Sequence, residues 1–219
     1  MRSSIGRLVV STLFLTLTAG RLQASGGSPA PTPTPARTPQ DEAAQIYNAG
    51  LSEQDQARQL EKKIAKAETP EQKAKLQKRH DEALERSQQL FIQATRRDPT
   101  LHQAWSGLGY TLRKQGQYEA ALDAYGKALA LQPNYMEAIE YRGEAYLGLN
   151  RLDDAKSAYV TLLAKDRKNA GELLAAMKEW VDLRKADPQG VDAKTIDDFA
   201  GWVHTTEESA GSAKGERSW

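Results

Sequence analysis

The chain has 219 residues, 30 basic and 29 acidic side chains, three histidines and no cysteine. Without cysteine there is no disulfide framework, thiolate metal site or cysteine-linked lipid. Without a strong basic excess there is no electrostatic footprint for nucleic acid or an anionic membrane. No cofactor is called for, and no partner of either of those kinds.

Residues 1–24 read as a secretory signal peptide. Arg2 and Arg7 supply the positive start, Leu8 to Ala19 a short apolar run, and small residues follow, with cleavage expected after Ala24 or, alternatively, after Gly20. The apolar run carries Ser11, Thr12, Thr16 and Thr18. It is shorter than the ~20 apolar residues of a spanning helix, so a cleaved leader fits it better than an anchor. The reading is export to the periplasm or beyond. Removing Arg2, Arg7 and Arg21 changes the balance from 30 basic to 27 against 29 acidic residues, a net −2 for the exported chain.

Residues 25–40, SGGSPAPTPTPARTPQ, hold five prolines and no large apolar side chain. Such a stretch favours extended backbone and reads as a tether.

From Asp41 onward apolar residues recur at spacings of three and four, the helical period. One helix is predicted over Asp41–Glu68, with Ala57, Leu60, Ile64 and Ala67 on its inner stripe, and a second over Pro70–Arg97, with Leu76, Ala83, Leu84, Leu90, Phe91 and Ala94 inward. Thr69-Pro70 marks the turn, because proline disfavours helix in the residue before it and suits a helix start. Residues 41–101 are therefore expected to form a long antiparallel hairpin with charged outer faces.

Residues 102–135 carry a tighter pattern. Gly109 and Ala121 are small where two helices would meet, and Trp105, Leu108, Leu112, Tyr118 and Tyr125 are placed to fill the surrounding core. Gly116 stands at the turn, Ala128 on the inner face, and Pro133 where the second helix must end. The spacing resembles a tetratricopeptide repeat. A second copy follows over 136–169, with Ile139, Gly143, Tyr146, Ala155 and Tyr159 at equivalent positions thirty-four residues on. It departs from the pattern at Arg142, Leu162 and Arg167, the last standing where the closing proline is expected, which leaves its exit angle open. Phe91, Ala94 and Pro99 fit the end of a preceding repeat whose arms have been lengthened. Residues 170–207, with Leu173, Leu174, Met177, Trp180, Val181, Ile196, Phe199, Trp202 and Val203, read as capping helices, and 208–219 as a disordered tail.

The resemblance implies an all-α, right-handed α-solenoid of antiparallel hairpins whose concave groove receives a protein or peptide. Transferred by alignment, the groove residues are Gln103, Ser106, Tyr110, Arg113, Lys114, Glu137, Glu140, Glu144 and Leu147. Their charges either meet a ligand or pair with one another across neighbouring helices. The clamp that grips chaperone C-termini with lysines and asparagines is not matched, because Ser106, Tyr110 and Tyr141 occupy its positions.

His80, His102 and His204 are scattered and form no metal motif, and there is no phosphate loop or nucleophile elbow. The expected role is a non-enzymatic binding scaffold of the cell envelope. Two other roles fit the same pattern: self-association through the 41–98 hairpin, and docking on an enzyme through the C-terminal helices.

Overall fold

A computed structural model describes residues 37–215, with side chains to Ala210. The leader of residues 1–24 and the tether as far as residue 36 lie outside the described residues. Those described form eight helices and no strand: α1 (Pro39–Ile64), α2 (Pro70–Arg97), α3 (His102–Lys114), α4 (Tyr118–Leu131), α5 (Met136–Gly148), α6 (Leu152–Lys165), α7 (Arg167–Ala186) and α8 (Ala193–Gly215). The fold is all-α, a tetratricopeptide-like solenoid.

The long hairpin forms as its sequence suggests, with shifted ends at α1. Thr38 opens α1 two residues earlier than expected: its hydroxyl accepts from the Asp41 amide at 3.1 Å while the Asp41 carboxylate accepts from the Thr38 amide at 3.1 Å. This reciprocal cap satisfies two backbone donors that a helix start leaves open. At the other end the chain tightens at Ile64, where the Lys66 and Ala67 amides reach back only three residues. Ala57 and Leu60 are buried, whereas Ile64 and Ala67 are half-buried at the hairpin tip. Thr69 caps α2, accepting from the Gln72 amide at 3.2 Å, with Pro70 in the first turn.

The hairpin joins the next repeat through one aromatic ring and one polar cluster. Phe91, fully buried, lies between Gly50 of α1 and Gly107 of α3; a Cβ at either glycine would stand within 2.8 Å of the ring. Beside it, the buried Gln54 amide donates to the Gly107 carbonyl and the Thr111 hydroxyl, both at 3.0 Å, and the Ser87 hydroxyl donates to the Gly50 carbonyl at 3.0 Å. Because each buried polar group has a partner, the cluster fixes one register between α1, α2 and α3.

In the next repeat α3 and α4 close over Gly109, where a Cβ would stand 2.6 Å from the fully buried Tyr125 ring. Gly143 of α5 instead meets Leu173 of α7, in the following hairpin, where a Cβ would stand 2.6 Å from the leucine side chain. The absent proline at Arg167 has a visible consequence. Between α4 and α5 the chain spends Gln132–Tyr135 turning, but between α6 and α7 it spends Asp166 alone. Asp166 caps the new helix by accepting from the Lys168 and Asn169 amides at 3.0 and 3.1 Å. Without a proline to delay it, α7 starts at once. Leu162, larger than the alanine the pattern calls for, is fully buried.

Trp105 departs from the expectation that it is core. It is half-buried, its indole N–H donates to the Pro99 carbonyl at 2.9 Å, and the Lys127 ammonium lies 4.3 Å from the ring centroid. The ring seals the α2–α3 turn with one face toward solvent. Tyr118 is likewise half-buried, lying against Gly148, whereas Tyr159 is buried.

Candidate functional site: a tyrosine-lined crevice on the odd-numbered helices

Each odd-numbered helix packs on the next, α1 on α3, α3 on α5 and α5 on α7, while no comparable packing joins α2 to α4 or α4 to α6. The odd helices are thus the more tightly spaced layer, which is the inner, concave side of a curved stack.

On that side Gln103, Ser106 and Tyr110 of α3 and Glu137 of α5 come together around one crevice. Its other walls were not in the aligned set: Tyr47, Leu51 and Gln54 of α1, Gly107 of α3, Tyr135 at the α5 cap, and Tyr141. Four tyrosines therefore converge, one each from α1, α3 and α5 and one from the residue that precedes α5. Tyr110 and Tyr141 meet edge to face, centroids 5.2 Å apart, and Tyr135 meets His102 in the same way at 5.0 Å. Burial, reinforced by Glu137, pushes the Tyr47 phenol up to about 12 and raises that of Tyr135, while burial raises Tyr110 against the pull of Lys114, Arg113 and Arg58. All three remain neutral hydroxyls at physiological pH, able to donate and accept.

The remaining aligned residues are committed inside the protein. Arg113 pairs with Glu144, and its guanidinium lies 5.2 Å and 5.4 Å from the centroids of Tyr110 and Tyr141. Burial alone would depress this arginine, but Glu144 and the neighbouring phenols hold it above its ordinary value. Lys114 reaches back to Glu61 of α1 at 2.7 Å. For these charges the cross-helix pairing is the arrangement found. Glu140 is only 2% exposed and sits one helical turn from Glu144, while Leu147 is 4% exposed and packs in the core with α6 and α7. Neither presents a surface to a ligand, and Ser106 offers only a buried hydroxyl at the crevice floor.

The missed tyrosines had little to announce them. Tyr47 lies in the lengthened repeat, where alignment breaks down, and Tyr135 precedes its helix. Only a view of which helices adjoin brings them together.

Comparison with known proteins agrees with this architecture over its central part. The tetratricopeptide repeat model matches residues 102–135. Human tetratricopeptide repeat protein 7A is 46% identical over 46 residues, 21% of this chain and 5% of that protein. The uncharacterized protein ycf37 of Guillardia theta is 35% identical over 65 residues, 30% of this chain and 36% of the relative. The chain thus spans about a twentieth and about a third of the curated relatives it matches. Residues 102–135 are thus similar to a tetratricopeptide repeat. Among the described residues no group of three or more His, Asp or Glu could hold a metal ion, and no helix is long and apolar enough to cross a membrane.

Proposed function

We propose that this protein is an exported, non-enzymatic scaffold of the cell envelope that binds a segment of a partner protein over the tyrosine-lined crevice between α1, α3 and α5. The observation that carries the reading is the convergence of the half-buried Tyr110, Tyr135 and Tyr141 on the concave side, over the buried Tyr47, with Gln103 and Glu137 half-exposed beside them. Tyrosines offer a rigid apolar ring and a polar tip, a combination that holds extended peptide at low entropic cost. With Arg113 and Lys114 already paired, recognition rests on ring contacts and hydrogen bonds, and Glu137 adds a preference for a basic or amide-bearing neighbour. Export is supported by the sequence of residues 1–24, and N-terminal sequencing of the protein from its native envelope is expected to begin at Ser25.

The test of the site is affinity capture from envelope extract with the parent chain and with Gln103→Arg/Glu137→Lys, two changes at half-exposed positions that leave the core intact. A partner held by the parent and lost by an equally folded variant supports the crevice. A partner held equally by both places binding elsewhere.

A further inference from the structure

Charge is segregated along the long hairpin. Lys62, Lys63 and Lys66 at the end of α1 and Lys73, Lys75, Lys78 and Arg79 at the start of α2 are all exposed, and within residues 62–79 only Glu68 and Glu71 oppose them. The rest of residues 41–210 carries 17 basic and 26 acidic side chains. The near-neutral balance of the whole chain, which by itself speaks against an anionic surface as partner, averages over two regions of opposite sign.

We propose that the hairpin tip, residues 62–79, docks on an anionic lipid surface.

The seven cations are uncommitted. Among the described residues none of them pairs with a carboxylate, whereas on the same hairpin Arg58 pairs with Asp55, Arg86 with Glu53 and Arg97 with Glu42. Glu61, the carboxylate just inside the tip, is taken by Lys114 of α3 at 2.7 Å and faces His80 at 3.4 Å. Like charges crowded onto a few turns repel one another, and an anionic counterpart relieves that repulsion.

The tip is also placed to meet a surface. The Glu61–Lys114 pair marks the level at which α3 ends, and residues 62–79 lie beyond it; neither α1 nor α2 packs comparably on any helix past α3. From Lys73 to Arg79 α2 rises about 9 Å, close to the Debye length of ~8 Å at physiological ionic strength. All four α2 cations therefore lie within the field of a surface that touches the tip.

Residue type favours lipid over other polyanions. Six of the seven cations are lysines, compact charges without the fork by which arginine grips a phosphate, and residues 62–79 hold no Phe, Tyr or Trp on which a base could stack. The charges are spread over two helices and not along one groove, which suits many mobile headgroups better than a single acidic segment. The same surface repels the acidic remainder of the chain, and so turns the repeat stack away from it.

The test is partition of the exported chain onto vesicles of phosphatidylcholine, alone or with about a third phosphatidylglycerol, at about 0.1 M and about 0.5 M salt. Binding is expected on the anionic vesicles at low salt only. Each lysine near such a surface is worth ~5-fold in partition, so Lys66→Gln/Lys73→Gln/Lys75→Gln is expected to bind ~100-fold more weakly. Arg96→Gln/Arg167→Gln/Lys185→Gln removes the same three charges from exposed positions outside the tip, and is expected to bind within a few-fold of the parent. Equal losses in the two variants overturn the proposal, because binding then follows net charge and not the tip. So does equal partition onto the neutral vesicles. Retention on immobilised polyglutamate without partition onto anionic vesicles also overturns it, and assigns the tip to an acidic protein. Glutamine matches lysine in helix propensity, and circular dichroism checks that each variant remains helical.

Discussion

Gly116 and Asn150 stand thirty-four residues apart and share one backbone conformation, φ 75° and 57°, at the turn between the two helices of successive repeats. This is the left-handed region, costly for residues with a Cβ and least so for asparagine among them. Nothing lies within 4 Å of a Cβ built on Gly116, so Gly116→Ala is a pure backbone change and is expected to lower stability by about 1–2 kcal/mol. Asn150 also accepts from the Trp180 indole N–H at 3.3 Å. Asn150→Ala should therefore lose at least as much, while Asn150→Gly retains the turn and loses only the side-chain contact. Urea midpoints for the three variants would rank them, and an Asn150→Gly as damaging as Asn150→Ala would refute the backbone argument.

Two helical glycines should respond with opposite signs. Gly109→Ala drives a methyl into the Tyr125 ring, and overpacking of this kind costs about 1–3 kcal/mol. Gly126, in the middle of α4, has open space around it, so Gly126→Ala is expected to add about 0.5–1 kcal/mol through helix propensity. Thermal midpoints moving in the same direction would contradict the packing described for α3 and α4.

Glu140 gives the fold a pH dependence. Burial first, then the neighbouring Glu144 carboxyl, holds its proton on well above the ordinary carboxylate range, against the opposing pull of Arg113. The folded state therefore keeps a proton that the unfolded chain releases near 4.5, and stability from this group is complete in acid and declines as pH rises past that value. Glu140→Gln supplies a permanently neutral side chain. It should match the parent near pH 4, exceed it at pH 8, and flatten the pH profile between; parallel profiles would show that Glu140 is ionised in the folded protein.

Trp105 holds the α2–α3 turn by its N–H and one face. Trp105→Phe keeps an aromatic ring and removes the hydrogen bond to Pro99, an expected loss of about 1 kcal/mol. Tyr125→Ala, at a fully buried position in the same repeat, should cost about 3–5 kcal/mol. Comparable losses at the two sites would restore the fully buried placement of Trp105.

Helix identity was legible wherever apolar residues kept a helical period, and Pro70, Gly116 and Pro133 marked boundaries by backbone chemistry alone. The early start of α7 was less legible, because it depends on Asp166 ending one helix and capping the next. The binding side was only half readable. The repeat pattern indicates which side of α3 and α5 faces the groove, but it carries no information on how charges from different helices pair. Both fates are open to Arg113 and Lys114 in the sequence, and only the placement of Glu144 opposite Arg113 and of Glu61 on α1 beside Lys114 decides for internal pairing. Tyr47 and Tyr135 belong to the crevice through the lengthened hairpin and a cap, neither of which obeys the thirty-four-residue period.

The unequal lengths of α1 and α3 make the hairpin a cantilever. At 26 residues α1 is about 39 Å long and α3, at 13, about 20 Å, and the Glu61–Lys114 ion pair joins the end of α3 to α1 just before the hairpin tip, which extends beyond it. The tip-ward half is held by a small cluster, Ala57, Leu60, Ala83 and Leu84 with Leu76 against it, and by the Glu61–Lys114 pair. The anchored half is clamped by Phe91 and the Gln54–Thr111–Ser87 cluster. Tyr47, a wall of the crevice, sits on the anchored side of that clamp. Gln54 is both part of that clamp and a wall of the crevice, so a load applied at the tip would be met at the crevice itself, by the hydrogen bonds of Gln54 to Gly107 and Thr111.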